Sequence, residues 1–266
     1  FPKLFQTAVA DLPVTLDIGQ VLIAGGNIKY EEIVEGAAVP GFIIFDDPDI
    51  SISGISNRKE DGEKYGTIVL EGSAMLMGKT RMKLDLNLPV GDPREYFTFH
   101  GTVDPFIVGM LNPMIEPLAF ILATEGNIRG VEFYGLASRD TAVGRMDFRY
   151  EGLKIEVLKK KKEDDGVQVE NKFLSFLAGA LLHADNPKAG EPDRIGRMYS
   201  ERDLNKGFFN FMWKTIESGL FNTMRPGKKH QAGDMGWVEF KAGWEGILQA
   251  DRREAGSGKS SRDKRK

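Results

Sequence analysis

The chain has 266 residues, no cysteine, and 36 Lys plus Arg against 39 Asp plus Glu, a formal net charge of −3. That length buries a sizeable core as one large all-β domain or two small ones. The charge balance argues against a nucleic-acid partner, and the lack of cysteine excludes a disulfide framework and thiolate metal sites. Phe1 opens the sequence without a charged and then apolar leader, so any export signal or membrane anchor is expected to lie upstream. In chain order, Val14, Leu16 and Ile18 share one face, and Ile28 and Tyr30 share one after Gly25-Gly26, which predicts a hairpin. Phe42 to Phe45 and Ile50 to Ser53 read as short strands after a Gly- and Pro-bearing loop. Thr67 to Leu88 reads as two strands broken near Gly78. In the second of these, Met82, Leu84, Leu86 and Leu88 face one way while Arg81, Lys83, Asp85 and Asn87 face the other. Asp104-Pro105 then suits the start of a short helix over Phe106 to Met110.

The stretch from Pro117 to Leu158 organises the rest. It runs through Leu118 to Leu122, turns at Glu125-Gly-Asn127, continues through Val131 to Tyr134, and turns again around Ser138-Arg-Asp140. The last pair is Gly144 to Tyr150 and Leu153 to Val157. There Met146, Phe148 and Tyr150 face one way and Arg145, Asp147 and Arg149 the other, the signature of a sheet with one apolar and one wetted face. Gly-Asn-Ile followed by a basic residue recurs at Gly26 and Gly126, each time after an apolar strand. A strand–turn–strand unit used twice explains this echo, and so does the general preference for Gly-Asn in turns.

The character changes at Lys159, where four lysines precede Glu163-Asp-Asp-Gly166, a solvated charge run. Phe173 to Leu182 is apolar over about 10 residues, against the roughly 20 that a membrane-spanning helix needs; it fits a buried strand and a short helix equally. Tyr199 to Met224 reads as an amphipathic helix, with Ser200 and Asp203 resembling a capping box. Phe208, Phe211, Met212, Ile216 and Leu220 recur on or near one face with Trp213 beside them. Such a helix either plugs the end of the sheet or lies at a membrane surface. Trp237, Phe240 and Trp244 suit one last docked piece, and Gly256 to Lys266 reads as disordered with a basic end.

No catalytic constellation emerges. His100, His183 and His230 are scattered, with no helical metal spacing, nucleophile elbow or phosphate loop around them. No catalytic, cofactor-binding or metal-binding residue is therefore expected.

Leu111-Asn-Pro-Met-Ile-Glu-Pro-Leu118, Glu125-Gly-Asn-Ile128, Asp140-Thr-Ala-Val-Gly-Arg-Met146, Tyr150-Glu-Gly-Leu153 and Phe208-Phe-Asn-Phe-Met-Trp-Lys214 are the segments that matter next. In their order, together with Leu16 to Tyr30 and Pro40-Gly41, the chain resembles the C-terminal part of AsmA-like proteins of Gram-negative bacteria, particularly large members from Bacteroidota. The resemblance covers roughly residues 10 to 224. It implies an inner-membrane helix upstream and a periplasmic β-groove that carries phospholipid between the membranes or otherwise supports the outer membrane, with an outer-membrane or other envelope protein as a further partner. It brings no catalytic residue with it.

The expected fold is mainly β: a long antiparallel, curved, amphipathic sheet, an open groove or half-barrel, with C-terminal helices. It divides into a sheet module over residues 1–158, a charged linker over 159–171, an apolar segment plus helix closing the sheet end over 172–224, and a mostly flexible basic tail over 225–266. Met82, Leu84, Leu86, Leu88, Met146, Phe148 and Tyr150 form the candidate lipid-facing stripe, with phospholipid acyl chains as the expected partner. Phe208, Phe211, Met212, Trp213, Ile216 and Leu220 form the candidate membrane or end-cap helix face. The same stripe serves equally as the core of a closed sandwich, in which case the module is a scaffold that moves no lipid.

Overall fold

Alternation along the chain becomes one large antiparallel sheet in the structure, a computed structural model that describes residues 2–34, 36–60, 64–158 and 182–224. The elements are α1 (Phe5–Ala10), β1 (Asp17–Ala24), β2 (Asn27–Glu32), β3 (Gly41–Ser56), β4 (Lys59–Glu60), β5 (Lys64–Tyr65), β6 (Thr67–Leu76), β7 (Thr80–Pro89), β8 (Phe97–Val103) and β9 (Phe106–Ile107). Then follow a tight helical turn (Val108–Leu111), α2 (Asn112–Ala119), β10 (Ile121–Ala137), β11 (Thr141–Val157), β12 (Ile195–Glu201) and α3 (Phe208–Met224). The strands lie in the order β1, β3, β6, β7, β8, β10, β11, β12, with β2 on β3 and β9 on β10; β4 and β5 form a separate ribbon. The outermost strands do not pair with each other, so the sheet does not close into a barrel. All these elements belong to one compact unit, Phe1–Pro226.

Several turns read from the sequence are bends in longer strands. β1 and β2 do not form a hairpin with each other. Both pair with β3, Asp17–Ala24 along its second half and Asn27–Glu32 along its first. Gly25 and Gly26 therefore sit at a kink in what is nearly one strand, with φ of 76° and 79°, a region open to glycine at little cost. Opposite them β3 bends at Asp47-Pro48. Gly25 N–H donates to the Pro48 carbonyl and Asp47 N–H to the Gly26 carbonyl, both at 2.9 Å. Pro48, which has no N–H to give, fits such a break in the ladder.

Glu125-Gly-Asn127 repeats the device. β10 runs unbroken through it as 17 residues, and its register with β11 shifts on either side of Glu125 and again between Ile128 and Gly130. Both Gly-Asn-Ile copies thus mark irregularities that bend long strands, and bends of this kind add twist and curl to a sheet. The turn at Ser138-Arg-Asp140 is a true reversal, closed by Ser138 N–H donating to the Thr141 carbonyl at 2.7 Å.

Helices also depart from the expected places. Phe106–Ile107 pairs with Asn127 and Ile128 as a short strand, and the helix begins only at Asn112, with Pro113 in its first turn. The Asn112 side chain mimics a strand partner: Nδ2 donates to the Ala123 carbonyl and Oδ1 accepts from Ala123 N–H, both at 3.0 Å. This pins α2 across the start of β10. Tyr199 and Ser200 lie in β12, not in a helix. The sheet module thus extends past residue 158, because Ile195–Glu201 pairs with β11. Ser200 Oγ is hydrogen-bonded to Thr215 Oγ1 on α3 and caps nothing. The charged run from Lys159, most of the apolar segment before Leu182, and everything from Arg225, including Trp237, Phe240, Trp244 and the basic tail, lie outside the described residues.

Candidate functional site

The concave face of the sheet carries the apolar half of each alternating strand, and it has two different fates. At one end α1 fills it. Leu4 and Val9 pack into the same cluster as Ile68, Leu88 and Phe97, all nearly inaccessible. Along β11 and β12 it is filled by Met146 and Met198, both fully buried beneath α3. In the middle it is not filled. A cavity of about 350 Å³ lies there, bounded by β3, β6, β7, β10, β11, α2 and α3, with an almost entirely apolar wall. Its size falls within the ~300–1,000 Å³ typical of small-molecule sites.

Small residues make this space. On β6 the inward positions read Leu70, Gly72, Ala74, Leu76, and Gly72 lies opposite Leu84 and Ala74 opposite Met82 on β7. Opposite Met82 the strand offers only the methyl group of Ala74, while the space over Gly72 is taken by Ile50 of β3, whose Cγ1 would stand 3.2 Å from a Cβ there. Ile28 and Ile128, the isoleucines of the two Gly-Asn-Ile bends, both reach the cavity wall.

α3 approaches the sheet through its small and polar face. Thr215, Gly219 and Thr223 are buried against β12. A Cβ on Gly219 would stand 2.6 Å from Met198 Cγ, and one on Gly196 would stand 2.5 Å from the Gly219 carbonyl oxygen. The absence of both lets the helix settle onto the strand. Ser218 Oγ accepts from Tyr199 N–H and Asn222 Oδ1 from Arg197 N–H, each at 2.9 Å, so α3 also covers the outer edge of β12. The apolar stripe of the helix is thereby turned toward the cavity, leaving Phe209 (55 % exposed) as its outermost member.

The residues singled out from the sequence divide accordingly. Met82, Leu84, Leu86 and Phe148 line the cavity, as do Phe208, Met212, Trp213, Ile216 and Leu220. Leu88, Met146, Tyr150 and Phe211 belong to filled core. The Tyr150 ring packs against Phe148 at 4.7 Å, tilted by 38°, and burial pushes its hydroxyl pKa up although Arg194 lies beside it. α2 contributes Met114, Ile115 and Leu118, whose helix carries Pro113 and Pro117 and is too short to show a helical period in the sequence. Glu217, a charged residue beside the apolar stripe of α3, also stands on the cavity wall.

A polar cluster ties the start of α3 to β2. The Tyr30 hydroxyl donates to Glu32 Oε2 at 2.9 Å, while Lys206 Nζ and Asn210 Nδ2 donate to Glu32 Oε1 at 2.8 and 3.0 Å. Phe209 stacks on the Tyr30 ring at 5.7 Å. Burial and the neighbouring Glu32 push Tyr30 up to about 12. Burial alone would raise Glu32, but the hydrogen bonds from Lys206 and Tyr30 outweigh it and hold the carboxyl below its ordinary value.

On the convex face, His100 lies between Asp85 at 3.5 Å and Glu132 at 3.0 Å, all three about half exposed. His183 is lowered by burial and by Arg194. Among the described residues no group of three or more His, Asp or Glu side chains is placed to hold a metal ion, and no described helix is long and apolar enough to cross a membrane. The chain matches no protein-family model, no curated protein and no solved structure.

Proposed function

We propose that this chain is a non-catalytic module that holds the acyl part of a lipid against its concave face. The observation that carries the reading is the unfilled apolar cavity of about 350 Å³ between the sheet, α2 and α3. At roughly 30 Å³ per water-sized guest, the space suits about a dozen methylene groups. Removing these from water is worth about 0.8 kcal/mol each, ~10 kcal/mol gross, before the cost of ordering the ligand is subtracted. A polar ligand would find almost no hydrogen-bonding partner on this wall. The resemblance to AsmA-like proteins adds a setting: phospholipid held or conducted between inner and outer membranes, in the periplasm, by a protein anchored through an upstream segment.

A scaffold role in the cell envelope has one observation in its favour. The outer edge of β1 pairs with no strand among the described residues, and Ile18, Leu22 and Ile23 on it are 37–69 % exposed. An unprotected apolar edge of this kind accepts an added strand.

Native mass spectrometry of the purified chain tests the lipid reading. The expected result is a co-purified lipid that survives gentle ionisation and is absent from the Ala74→Phe variant, whose ring occupies the cavity. A lipid-free protein that also fails to take up added phospholipid would leave the scaffold reading standing.

A further inference from the structure

The cavity wall has a single charged member among the described residues, and it is Glu217. Its Oε2 accepts a hydrogen bond from Lys214 Nζ at 2.8 Å, one turn earlier on α3. Its Oε1 accepts none among the described residues. The two partners are unequally placed: the Lys214 side chain is 47 % exposed and the Glu217 side chain only 15 %. Glu217 is thus the more fixed of the two, its side chain forming part of the cavity wall, and the lysine reaches its carboxylate from solvent on a flexible stem. Glu32 makes a useful contrast. Both of its oxygens are occupied, by Lys206 and Asn210 on one side and Tyr30 on the other. Glu217, midway along α3, thus differs from Glu32 in keeping one carboxylate oxygen that accepts no hydrogen bond among the described residues.

We propose that Glu217 is the polar anchor of the cavity, and that it selects amphiphiles whose head group is a primary amine over those with an anionic head. The proposal rests on the lipid reading above. A carboxylate has about four acceptor positions, and an ammonium brings three donors and a compensating charge. Hydrogen bonds between such charged partners are roughly twice as strong as neutral ones. Burial raises the Glu217 pKa, with Lys214 opposing and Glu32 adding to the rise, so ionisation there is costly until a second cation arrives. An anionic head would instead meet Glu217 with Glu32 behind it.

The test compares dodecylamine, dodecanoate and dodecanol, three probes with one tail, each displacing an apolar fluorescent dye from the full chain below its micellar concentration. Wild-type protein is expected to bind dodecylamine about tenfold more tightly than dodecanoate, equivalent to ~1.4 kcal/mol. In Glu217→Gln that ratio should fall to about one. In Lys214→Gln it should grow, because the lysine no longer competes for the same carboxylate. Should Glu217→Gln fail to fold, the direction of change in Lys214→Gln decides the matter alone. Equal binding of amine and carboxylate by the wild type, or a ratio that survives Glu217→Gln, overturns the anchor and leaves the groove. A preference for dodecanoate that Lys214→Gln abolishes overturns it in favour of the lysine. Failure of all three probes, dodecanol included, overturns the lipid reading itself.

Discussion

Glu32 and Glu217 are acids tied to the same helix, yet their surroundings give their ionisation opposite signs. Glu32 is held below its ordinary value by donors that need its charge, so the stability it contributes is present above the unfolded-state pKa and is lost as pH falls through the folded one. Glu32→Gln should therefore lower stability by about 1–2 kcal/mol at neutral pH, and thermal unfolding in acid, below roughly pH 4, should no longer separate it from wild type. Glu217 is raised by burial, so its ionised form costs stability above its folded pKa and the cost disappears as pH falls below the unfolded value. Glu217→Gln should accordingly unfold at a higher temperature than wild type at neutral pH, with the difference vanishing in acid. Equal shifts of the same sign in both variants would contradict these environments. Ala74 poses a third question at this scale. If the space opposite Met82 is empty, Ala74→Phe should keep or raise the unfolding temperature. A filled core would instead lose about 1–3 kcal/mol to overpacking.

At the scale of elements, the contact between α3 and β12 depends on Gly196 and Gly219. Gly196→Val drives a side chain into the backbone of α3, which cannot give way without moving the helix. Gly219→Ala brings one methyl group against the flexible but fully buried side chains of Met198 and Met146 and not against backbone. The strand variant should cost about 1–3 kcal/mol and the helix variant distinctly less. Hydrogen exchange should show the loss in Gly196→Val concentrated in α3, where the Ser218 and Asn222 bonds to the β12 edge are broken. Equal costs would mean that the helix sits less tightly on the strand than its geometry indicates. The Gly-Asn-Ile segments also belong to this scale. Each reads as a turn because Gly-Asn suits positive φ, and a bulge asks for the same backbone. The difference lies in the partner: β3 and β11 continue past the irregularity, so the chain bends and does not reverse.

Across the whole molecule the concave face is core at its margins and wall at its centre, and this sets a contrast between two substitutions of the same chemistry. Met146→Asp buries an unpaired carboxylate where no atom is accessible and should abolish the folded state. Leu84→Asp places the charge on a half-buried cavity wall, where solvent or a counter-ion can reach it, and should leave the circular dichroism spectrum intact while removing bound lipid. If both variants unfold, the centre of the sheet behaves as closed core and the groove reading fails. Trp213 extends the test without mutation of the wall, since it lines the cavity and packs with Ile43, Leu76 and Met114. With Trp237 and Trp244 replaced by Phe, its fluorescence should respond to dodecanol and be indifferent to anionic vesicles that carry no free lipid.

What the sequence by itself determined was local. Alternation at Met82 to Leu88 and Met146 to Tyr150 required strands with one apolar face, because side-chain direction in a strand follows from the backbone alone. The reversal at Ser138-Arg-Asp140 and the helical spacing from Phe208 were legible for the same reason. Which face of α3 meets the sheet was not, since the apolar stripe is the usual choice and here Gly196 and Gly219 give the contact to small residues. Only the tertiary structure decided that Leu84 and Phe148 border open space while Leu88 and Met146 are packed. Every one of them is apolar and inward-facing, and their fates differ by what lies across from them: α1 over Leu88, Gly219 of α3 over Met146, and between these the unfilled cavity beside Ala74.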